Sequence, residues 1–542
     1  MTTIAPKSLR GDIFGGITAT IVALPLALAF GVASGAGPIA GLYGAIFVGF
    51  FAALFGGTPT QISGPTGPMT VVMAGIIAEF SISNPDQALA LAFTVVFLGG
   101  LFQIIFGLLR VGRYVTLVPY PVISGFMTGI GVIIILLQIA PLFGHEASSS
   151  ISASVSALPG VLSDPVFSAI VLGGLTLGIL FFWPKSFGKW VPSPLVALIA
   201  GTLVLLLVFP ESPIAKIGDI PVGLPSLQWP VFEPALIENI ILKALLLAGL
   251  GSIDSLLTSL VADNMTLTRH NSDKELIGQG IGNMVAGLFG GLPGAGATMR
   301  TVININAGGR SNRSGIVHAL GLAVIVLGAA PLVQNIPHVV LAGILLKVGI
   351  DIIDWQFLLR LHKLPLFSSA LMLGVTFITV FVDLMTAVFI GVFIANLVTI
   401  DRLTRLQIDG LLFSDGDNKE AKITKENHAL SRCGGDILLI KFFGPLSFGV
   451  AHLLPTSVAK YPKRKAIVID FTDAFVVGIT SSLAIETIIH REQAAGRKVY
   501  LSGVHEETHK KLTKLGALKQ VPTNQFCAHA VEAILLAEEH LS

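Results

Sequence analysis

The distribution of apolar and polar residues predicts a chain of membrane-spanning helices. Up to Leu397, apolar segments follow one another with only short polar breaks. About 20 apolar residues in a helix cross a bilayer core of roughly 30 Å, and some of these segments are shorter. Fourteen crossings or half-crossings are predicted, at Ile13–Gly31, Ile39–Phe55, Thr66–Ala78, Ala88–Leu109, Pro119–Ala140, Val166–Phe182, Leu195–Val208, Ile240–Ala262, Leu276–Leu292, Thr298–Ala307, Ile316–Leu332, Val339–Ile353, Phe367–Val382 and Met385–Leu397.

Two of these segments begin in loose, glycine-rich backbone and are predicted to be half-helices. The first follows Ser63-Gly-Pro-Thr66-Gly-Pro, and the second follows Gly294-Ala-Gly-Ala-Thr298. A helix that begins inside a membrane directs unpaired N–H groups and a positive dipole end at whatever lies in front of it. Two such broken segments in corresponding halves of a membrane protein are the strongest sequence indication of a transporter's substrate site.

The two halves of the apolar region are predicted to be repeats. The first and eighth spans start near Ile13 and Ile240, and the broken segments start at Thr66 and Thr298, so both pairs are separated by nearly equal lengths of chain. Each repeat would contain seven spans. Because seven is odd, the second repeat is expected to be inverted relative to the first.

The positions of lysine and arginine predict the orientation. If the N-terminus lies inside, the outside loops contain only Lys216. Cytoplasmic loops are enriched in basic residues, so both termini are predicted to be cytoplasmic, and a bacterial inner membrane is expected. The basic residues of the inside loops are Arg110, Arg113, Lys185, Lys189, Arg269, Lys274, Arg310, Arg313, Arg360, Lys363, Arg402 and Arg405.

The composition changes after Leu403. A transmembrane domain is therefore predicted for 11–403, a charged linker for 404–435 and an α/β domain for 436–542, because buried strands alternate with amphipathic helices there. Strands are predicted at Ile437–Phe443, Lys465–Phe471 and Lys498–Ser502, and helices at Ser481–Gln493, Glu506–Leu515 and Ala528–Leu541.

Composition and charge exclude several classes of function. The 542 residues are 53% hydrophobic and 12% charged, whereas roughly a quarter are charged in soluble domains. The net charge of +2 indicates no nucleic-acid partner. The two cysteines, Cys433 and Cys527, have no metal-ligand spacing, so neither a zinc site nor a disulfide framework is expected. No nucleophile triad or phosphate-binding loop is evident, so we expect neither an enzyme nor an ATP-driven pump, and no cofactor.

Asp254 and Arg300 are the candidate charged residues of the site. A carboxylate inside an apolar span is costly unless it faces a cavity or a partner, and Thr258 lies one turn further on the same helical face. Arg300, two positions into the second half-helix, would add its charge to the dipole ends and attract an anion. The alternatives are a structural, hydrogen-bonded Asp254 and an Arg300 that only forms an ion pair with an acid.

The first broken segment and three polar residues near span ends complete the candidates. Ser63 and Thr66 flank Gly64-Pro65 and could cap the first half-helix or bind an anion directly. His318, Lys347 and Asp351 are expected to be snorkelling or interfacial groups.

Several motifs resemble those of the SulP family of anion transporters, over nearly the whole chain. The resemblance implies two inverted seven-span repeats arranged as core and gate subdomains, with a cytoplasmic STAS domain. Within the family, the closest likeness is to the cyanobacterial sodium-dependent bicarbonate transporters. The motifs are Gly11-Asp-Ile-Phe-Gly-Gly16, Ala40-Gly-Leu-Tyr-Gly44, Gly64-Pro-Thr-Gly-Pro-Met69, Asn271-Ser-Asp-Lys-Glu-Leu-Ile-Gly-Gln-Gly280 and the small residues before Thr298.

The resemblance also implies roles for individual residues. Positions matching Thr66 and Ala297 lie at the bicarbonate in those transporters, and together with Ser63, Gly64, Thr298 and Arg300 they form the predicted substrate site. Arg300 is a departure, since those transporters have glycine there, whereas family members that move sulfate, dicarboxylates or chloride often have a basic residue. Those implied to hold sodium are Asp254, Thr258, Gly296 and Thr298.

The segment Asp470–Ser482 resembles the loop that is phosphorylated in anti-sigma-factor antagonists. The modified position of that loop falls on Ile479, with Thr480 adjacent. For Thr480 we expect a packing or regulatory contact in preference to phosphorylation.

The leading hypothesis is a sodium-coupled importer of a small inorganic anion, bicarbonate or sulfate, that works by alternating access. The first alternative is a proton-coupled or exchanging sulfate or dicarboxylate transporter. The second is an anion channel, or a sensor whose output is the STAS domain. A homodimer, contact with membrane lipid and an unidentified cytoplasmic partner of the STAS domain are also expected.

Overall fold

The computed structural model describes residues 9–147, 151–184, 191–218, 225–328, 334–382, 384–409, 412–415, 424–446, 458, 461, 464–516, 518–519 and 521–541. Lys185 and Lys189 of the predicted inside loops, the end of the span predicted to reach Leu332, and linker residues 410–411 and 416–423 lie outside this part. The chain divides into two compact units, Met1–Phe393 and Ile394–Ser542, which are described separately below.

The first unit is helical, as expected for a chain that crosses a membrane repeatedly. Six helices are long and apolar enough to span a bilayer, and four shorter apolar helices accompany them within the described ranges. In chain order the helices are α1 (Leu9–Ala33), α2 (Pro38–Phe55), α3 (Gly67–Ser83), α4 (Ala88–Leu108), α5 (Tyr120–Leu142), α6 (Ile151–Ser163), α7 (Phe167–Phe182), α8 (Ser193–Val208), α9 (Ile237–Thr266), α10 (Ser272–Leu288), α11 (Thr298–Asn306), α12 (Asn312–Gly328), α13 (His338–Ile352), α14 (Leu366–Phe381) and α15 (Leu384–Asp409).

Each of the fourteen predicted spans coincides with one of these helices, with differences at the ends. The span predicted to run from Leu276 to Leu292 begins and ends about a turn earlier, at Ser272 and Leu288, because Asn271 caps its N-terminus by accepting from the Lys274 N–H. Helix α6 was not predicted. Its 13 residues meet α7 at a bend of 110°, so the two do not form one straight helix.

The helices of the first unit form two packing groups. Helices α1, α2, α4, α9, α10, α11 and α12 contact one another extensively, and we call them the core group together with α3. Helices α5, α7, α8, α13 and α14 form the gate group. The core and gate subdomains implied by the family resemblance are therefore present, and each contains helices from both halves of the chain.

The two broken segments meet in the core group. A two-residue strand β1 (Ser63–Gly64) pairs antiparallel with β2 (Ala295–Gly296), and the half-helices α3 and α11 begin directly after them. This pairing of equivalent segments is consistent with inverted repeats.

The second unit contains a five-stranded sheet with helices on both faces. The strand order is β3 (Leu412–Ser414), β4 (Ile437–Leu446), β5 (Ala466–Val477), β6 (Lys498–Ser502) and β7 (Phe526–Cys527). Strand β3 is antiparallel to β4, and the other neighbours are parallel. The helices are α16 (Thr424–Leu430), α17 (Ile479–Ala494), α18 (Glu506–Leu515) and α19 (Ala530–Leu541).

Alternation along β4 explains why helices cover both faces of this sheet. Leu438 and Ile440 pack with residues of α17 and α18. Ile437 and Leu439 point the other way, to residues of α16 and α19. Successive strand residues face opposite sides, so a strand that is apolar throughout must be buried on both.

The predicted linker 404–435 needs correction. Helix α15 continues to Asp409, Leu412–Ser414 form the edge strand β3, and α16 packs on one face of the sheet. Strand β3 has only three residues, too few for the alternation of apolar and polar residues to be recognised.

Candidate sodium and anion site

The site is built on the antiparallel crossing of the two broken segments. Ser63 is paired with Gly296, and Gly64 with Ala295. Gly64 has φ = 149°, in the region that favours glycine, and a Cβ atom there would lie 2.9 Å from Nη1 of Arg300. The backbone of the first segment therefore approaches the second as closely as the absence of a side chain allows.

Two helix N-termini flank this crossing. Helix α3 begins after Thr66 and α11 begins after Ala297, and in the described structure no side chain caps either end. The N–H groups of the first turn, with the exception of Pro68, which has none, consequently remain available to a ligand, and each N-terminus carries roughly half a positive charge. Such ends are suited to an anion.

Asp254 lies on α9 beside the start of α3. It is 8% exposed, and its Oδ2 accepts a hydrogen bond of 2.8 Å from the Thr66 hydroxyl. Among the described residues it forms no ion pair with a basic side chain. Asp254 is therefore a buried carboxylate whose only hydrogen-bond donor in this structure is a neutral hydroxyl.

The remaining predicted sodium ligands, Thr258, Gly296 and Thr298, lie close together. Thr258 is one turn after Asp254 on α9, and the other two belong to the second broken segment. The Thr258 hydroxyl lies 2.9 Å from the carbonyl oxygen of Gly296 and 2.7 Å from the hydroxyl of Thr298. The Ser255 hydroxyl holds the same loop by accepting from the Gly296 N–H at 3.0 Å. Hydroxyl and carbonyl oxygens thus come together where α9 meets the second broken segment, one turn along the helix from the Asp254 carboxylate.

Arg300 is buried at the start of α11. It is 3% exposed, and its Nη2 donates to the carbonyl oxygen of Pro65 at 2.5 Å, which joins the two broken segments. No carboxylate forms an ion pair with Arg300 in the described part of the chain. The hydrogen bond of Arg300 in this structure goes to a backbone carbonyl, and the choice between a substrate role and a purely structural role stays a prediction.

One cavity of about 450 Å³ is lined by most of these groups. It is bounded by the core group on one side and by α7, α8 and α13 of the gate group on the other. The site residues that line it are Thr66, Asp254, Gly296, Ala297, Thr298 and Arg300.

Ser63, Gly64 and Thr258 do not line this cavity. The Ser63 hydroxyl accepts a hydrogen bond of 2.6 Å from Gln279 Nε2, and Ser63 is only 3% exposed. In this structure Ser63 and Gly64 hold β1 against β2, and their direct contact with substrate stays a prediction.

Sequence reasoning missed the polar layer that supports the crossing. Glu275 on α10 accepts from the N–H groups of Gly57 and Thr58, both at 2.8 Å, and from the amides of Gln61 and Gln279. Asn283, two turns later, both donates to and accepts from the backbone of Gly294. The signal was present, because Glu275, Gln279 and Asn283 recur every four residues on one face of α10.

Three residues were expected to be snorkelling or interfacial groups. His318 is fully buried in α12, and Lys347 and Asp351 line the cavity from α13. The snorkelling prediction is therefore wrong for His318, because a fully buried side chain does not reach the interface. For Lys347 and Asp351 the interfacial position stays a prediction.

Thr480 lies in the second unit, at the second position of α17, and its side chain is exposed. The neighbouring Ile479 is 73% exposed. The regulatory role of Thr480 stays a prediction.

Comparison with known proteins identifies the family. Residues 9–375 match the model of the sulfate permease family, and 430–532 match that of the STAS domain. The chain is 49% identical to the bicarbonate transporter BicA of Synechocystis sp., over 97% of this chain and 94% of that protein. It is 30% identical to a putative sulfate transporter, YvdB, of Bacillus subtilis, over 96% of this chain and 97% of that protein.

Solved structures agree with this assignment. The transmembrane domain of a cyanobacterial bicarbonate transporter BicA matches with a TM-score of 0.67 and 53% identity, over 71% of this chain and 98% of that one. The murine Solute Carrier 26 family member A9 anion transporter matches with a TM-score of 0.83 at 15% identity, over 99% of this chain and 92% of that one, which shows a shared fold. The chain therefore belongs to the sulfate permease (SulP) family, with a membrane domain followed by a STAS domain.

Proposed function

We propose that this protein is a secondary active transporter that imports bicarbonate together with sodium by alternating access. The observation that carries the proposal is the convergence of two uncapped half-helix N-termini on one cavity that also exposes Asp254. The relatives named as bicarbonate transporters, aligned over nearly the whole chain, support this choice of anion.

Sodium is assigned to the oxygens around α9. Asp254 supplies a carboxylate, Thr258 and Thr298 supply hydroxyls, and Gly296 supplies a carbonyl oxygen; such oxygen donors suit a hard cation. Without a cation, the Thr66 hydroxyl donates to Asp254. Sodium bound at that carboxylate would satisfy it and release the Thr66 hydroxyl to donate to the anion, which couples the two ligands.

The anion is assigned to the space in front of α3 and α11. The N–H groups of both half-helices, the Thr66 hydroxyl and the buried Arg300 surround it. Ala297 lines the same space and leaves room for the ligand at the start of α11. The positive dipole ends and the guanidinium provide the electrostatic attraction.

Alternating access is assigned to motion of the core group against the gate group. The cavity reaches Trp183, Pro184 and Pro192, on either side of the loop between α7 and α8. The distribution of lysine and arginine along the sequence favours a cytoplasmic position for this loop, and we propose on that ground that the cavity opens inward. The start of α3 packs directly against the gate group, because Gly67 lies against Ile134 and Ile352.

The location and further partners are part of the same proposal. We place the chain in a bacterial inner membrane with both termini in the cytoplasm, surrounded by lipid and assembled as a homodimer. The STAS domain is expected to bind a cytoplasmic partner.

Arg300 favours a second candidate function, the transport of sulfate or a dicarboxylate. With sodium at Asp254, Arg300 and two dipole ends leave about two positive charges facing the substrate. A dianion matches that charge at least as well as bicarbonate does.

Uptake into proteoliposomes tests both candidates. Purified protein would be assayed with labelled bicarbonate, sulfate and fumarate, each with and without an inward sodium gradient. The proposal predicts sodium-stimulated accumulation of bicarbonate above its equilibrium level. Sodium-independent accumulation of sulfate or fumarate would favour the second candidate, and equilibration without accumulation would indicate a channel.

A further inference from the structure

The gate group contributes a charged pair to the wall of the cavity. Lys347 and Asp351 of α13 line it together with Thr66 and Arg300 of the core group. Lys347 Nζ donates to both carboxylate oxygens of Asp351, and the ammonium also lies 5.4 Å from the centroid of the Phe181 ring. The two side chains are 24% and 38% exposed, so the pair remains accessible from the cavity.

This pair is poorly placed to stabilise α13. Asp351 lies in the last turn of the helix, which ends at Ile352, and there a carboxylate meets the negative end of the dipole. A lysine four residues before an acid is also the less favourable order for an i,i+4 pair. Solvent-accessible ion pairs contribute little to stability, so a second anion can replace Asp351 as the partner of Lys347 at little cost.

We propose that Lys347 is a second anion contact, on the gate side of the cavity, and that a bound oxyanion takes its ammonium from Asp351. The inference rests on the proposed function and adds a residue to its substrate site. The anion then contacts the core group through the half-helices and Arg300, and the gate group through Lys347. A bound anion thereby connects the core group to the gate group. When the anion leaves, Lys347 pairs with Asp351 again.

Four variants test this role: Lys347→Gln, Lys347→Arg, Asp351→Asn and the double variant Lys347→Gln/Asp351→Asn. KM and Vmax for whichever anion the wild type accumulates would be measured in proteoliposomes and normalised to folded protein. Loss of one charged hydrogen bond predicts that Lys347→Gln raises KM about five- to tenfold, while Lys347→Arg stays within about twofold of wild type. Asp351→Asn removes the carboxylate that competes with the anion for the Lys347 ammonium, and it is expected to lower KM.

The double variant separates anion binding from a structural role. If the pair only stabilises α13, removing both charges should restore KM together with the folded yield. If Lys347 binds the anion, the double variant regains yield but keeps the raised KM of Lys347→Gln. Lys243→Gln is the matched control, because Lys243 pairs with Glu79 away from the cavity, and its KM should equal that of wild type.

An unchanged KM in Lys347→Gln, or a double variant with the KM of wild type, would overturn the inference and leave the proposed function intact. A wild-type protein that accumulates no anion overturns both. The two failures are therefore distinguishable in one experiment.

Discussion

At the scale of single residues, we expect Arg300 to have the strongest influence on which anion is bound. Its guanidinium is buried and held by the Pro65 carbonyl, so its position is fixed before any ligand arrives. A fixed buried charge attracts a dianion about twice as strongly as a monoanion at the same distance. The two half-helix ends and Thr66 would still offer donors to a monoanion in its absence.

Arg300→Gly should therefore weaken sulfate uptake more than bicarbonate uptake, by about tenfold if the differential attraction is near 1.4 kcal/mol. The measurement is the ratio of the two uptake rates per folded protein. Arg310→Gly is the control, because Arg310 also donates to backbone carbonyls, those of Ile305 and Gly309, but does not line the cavity. Equal losses for both anions in Arg300→Gly would show that it has only a structural role.

The sequence identified most of these residues but not their contacts. Asp254, Thr258 and Arg300 stand out because polar groups in apolar spans are costly. That Thr66 bonds Asp254, or that Arg300 bonds Pro65, depends on how closely β1 and β2 cross. The distance between β1 and β2 depends on the backbone conformation of Gly64, which neither hydropathy nor charge reveals.

At the scale of elements, the half-helix α3 forms one of the contacts between the core and gate groups, beside those of α1. A Cβ atom at Gly67 would lie 2.8 Å from Cδ1 of Ile352 and 2.9 Å from Cδ1 of Ile134. Gly67 is also the first residue of α3, next to the anion space. Any side chain there must displace gate residues.

Gly67→Ala is expected to slow uptake by about two- to fivefold, because the added methyl group must displace the flexible Cδ1 ends of Ile134 and Ile352, which costs less than the roughly 1 to 3 kcal/mol of overpacking a rigid core. The rate would be measured in proteoliposomes under a sodium gradient. Gly75→Ala on the same helix is the control, since a Cβ atom there meets nothing within 4 Å. A Gly67→Ala rate equal to that of Gly75→Ala would contradict the proposed contact.

The second unit shows which elements a pattern can predict. Helix α18 and strand β6 occur at their predicted limits, because β6 is a short continuous apolar run and α18 has its two leucines three residues apart on one face. Strands β3 and β7 have three and two residues and were not predicted. Helix α6 was not predicted either, because its serines, Pro159 and Gly160 are residue types typical of a loop.

A buried ion-pair cluster in this unit gives a prediction about acid stability. Glu492 accepts from Arg464 at 2.7 and 3.0 Å and from Arg497 at 2.8 Å. Burial alone would raise the pKa of Glu492, but the two arginines outweigh it and lower the pKa. A lowered folded pKa means that Glu492 stabilises the fold above its unfolded pKa of about 4.3, and this stabilisation is lost as the pH falls through the folded value.

Glu492→Gln should therefore unfold more readily at pH 7 than wild type, with the difference shrinking towards pH 3. Hydrogen exchange of β5 and α17 in the full-length protein measures this. Glu507→Gln is the control, because Glu507 is an exposed helix residue paired only with Lys511 among the described residues. Exchange at pH 7 that is equal in wild type and Glu492→Gln would contradict the account.

At the scale of the whole molecule, the chain consists of two compact units. The residues assigned to sodium and anion all lie in the first unit. Seven-span repeats, core and gate groups and an α/β domain were all expected from the sequence. The packing of α1 with α12, or of α5 with α13 and α14, became visible only in the structure, because hydropathy does not record which helices are neighbours.

A chain that stops after Asp409 should keep the anion preference of wild type while losing rate or regulation. The stop belongs after Asp409, because α15 continues to that residue and an earlier stop would cut the helix. The ratio of bicarbonate to sulfate uptake is the measurement. A changed ratio would show that the STAS domain shapes the substrate site.

The central claim is that sodium at Asp254 and an anion at the half-helices bind cooperatively. The most direct measurement is calorimetric titration of the purified protein with bicarbonate, in sodium and in choline buffers, for wild type and Asp254→Asn. Wild type should bind the anion at least about tenfold more tightly in sodium, bicarbonate should tighten sodium binding by the same factor, and both effects should vanish in folded Asp254→Asn. Equal bicarbonate affinity in the two buffers, or sodium dependence that persists in Asp254→Asn, would contradict the account.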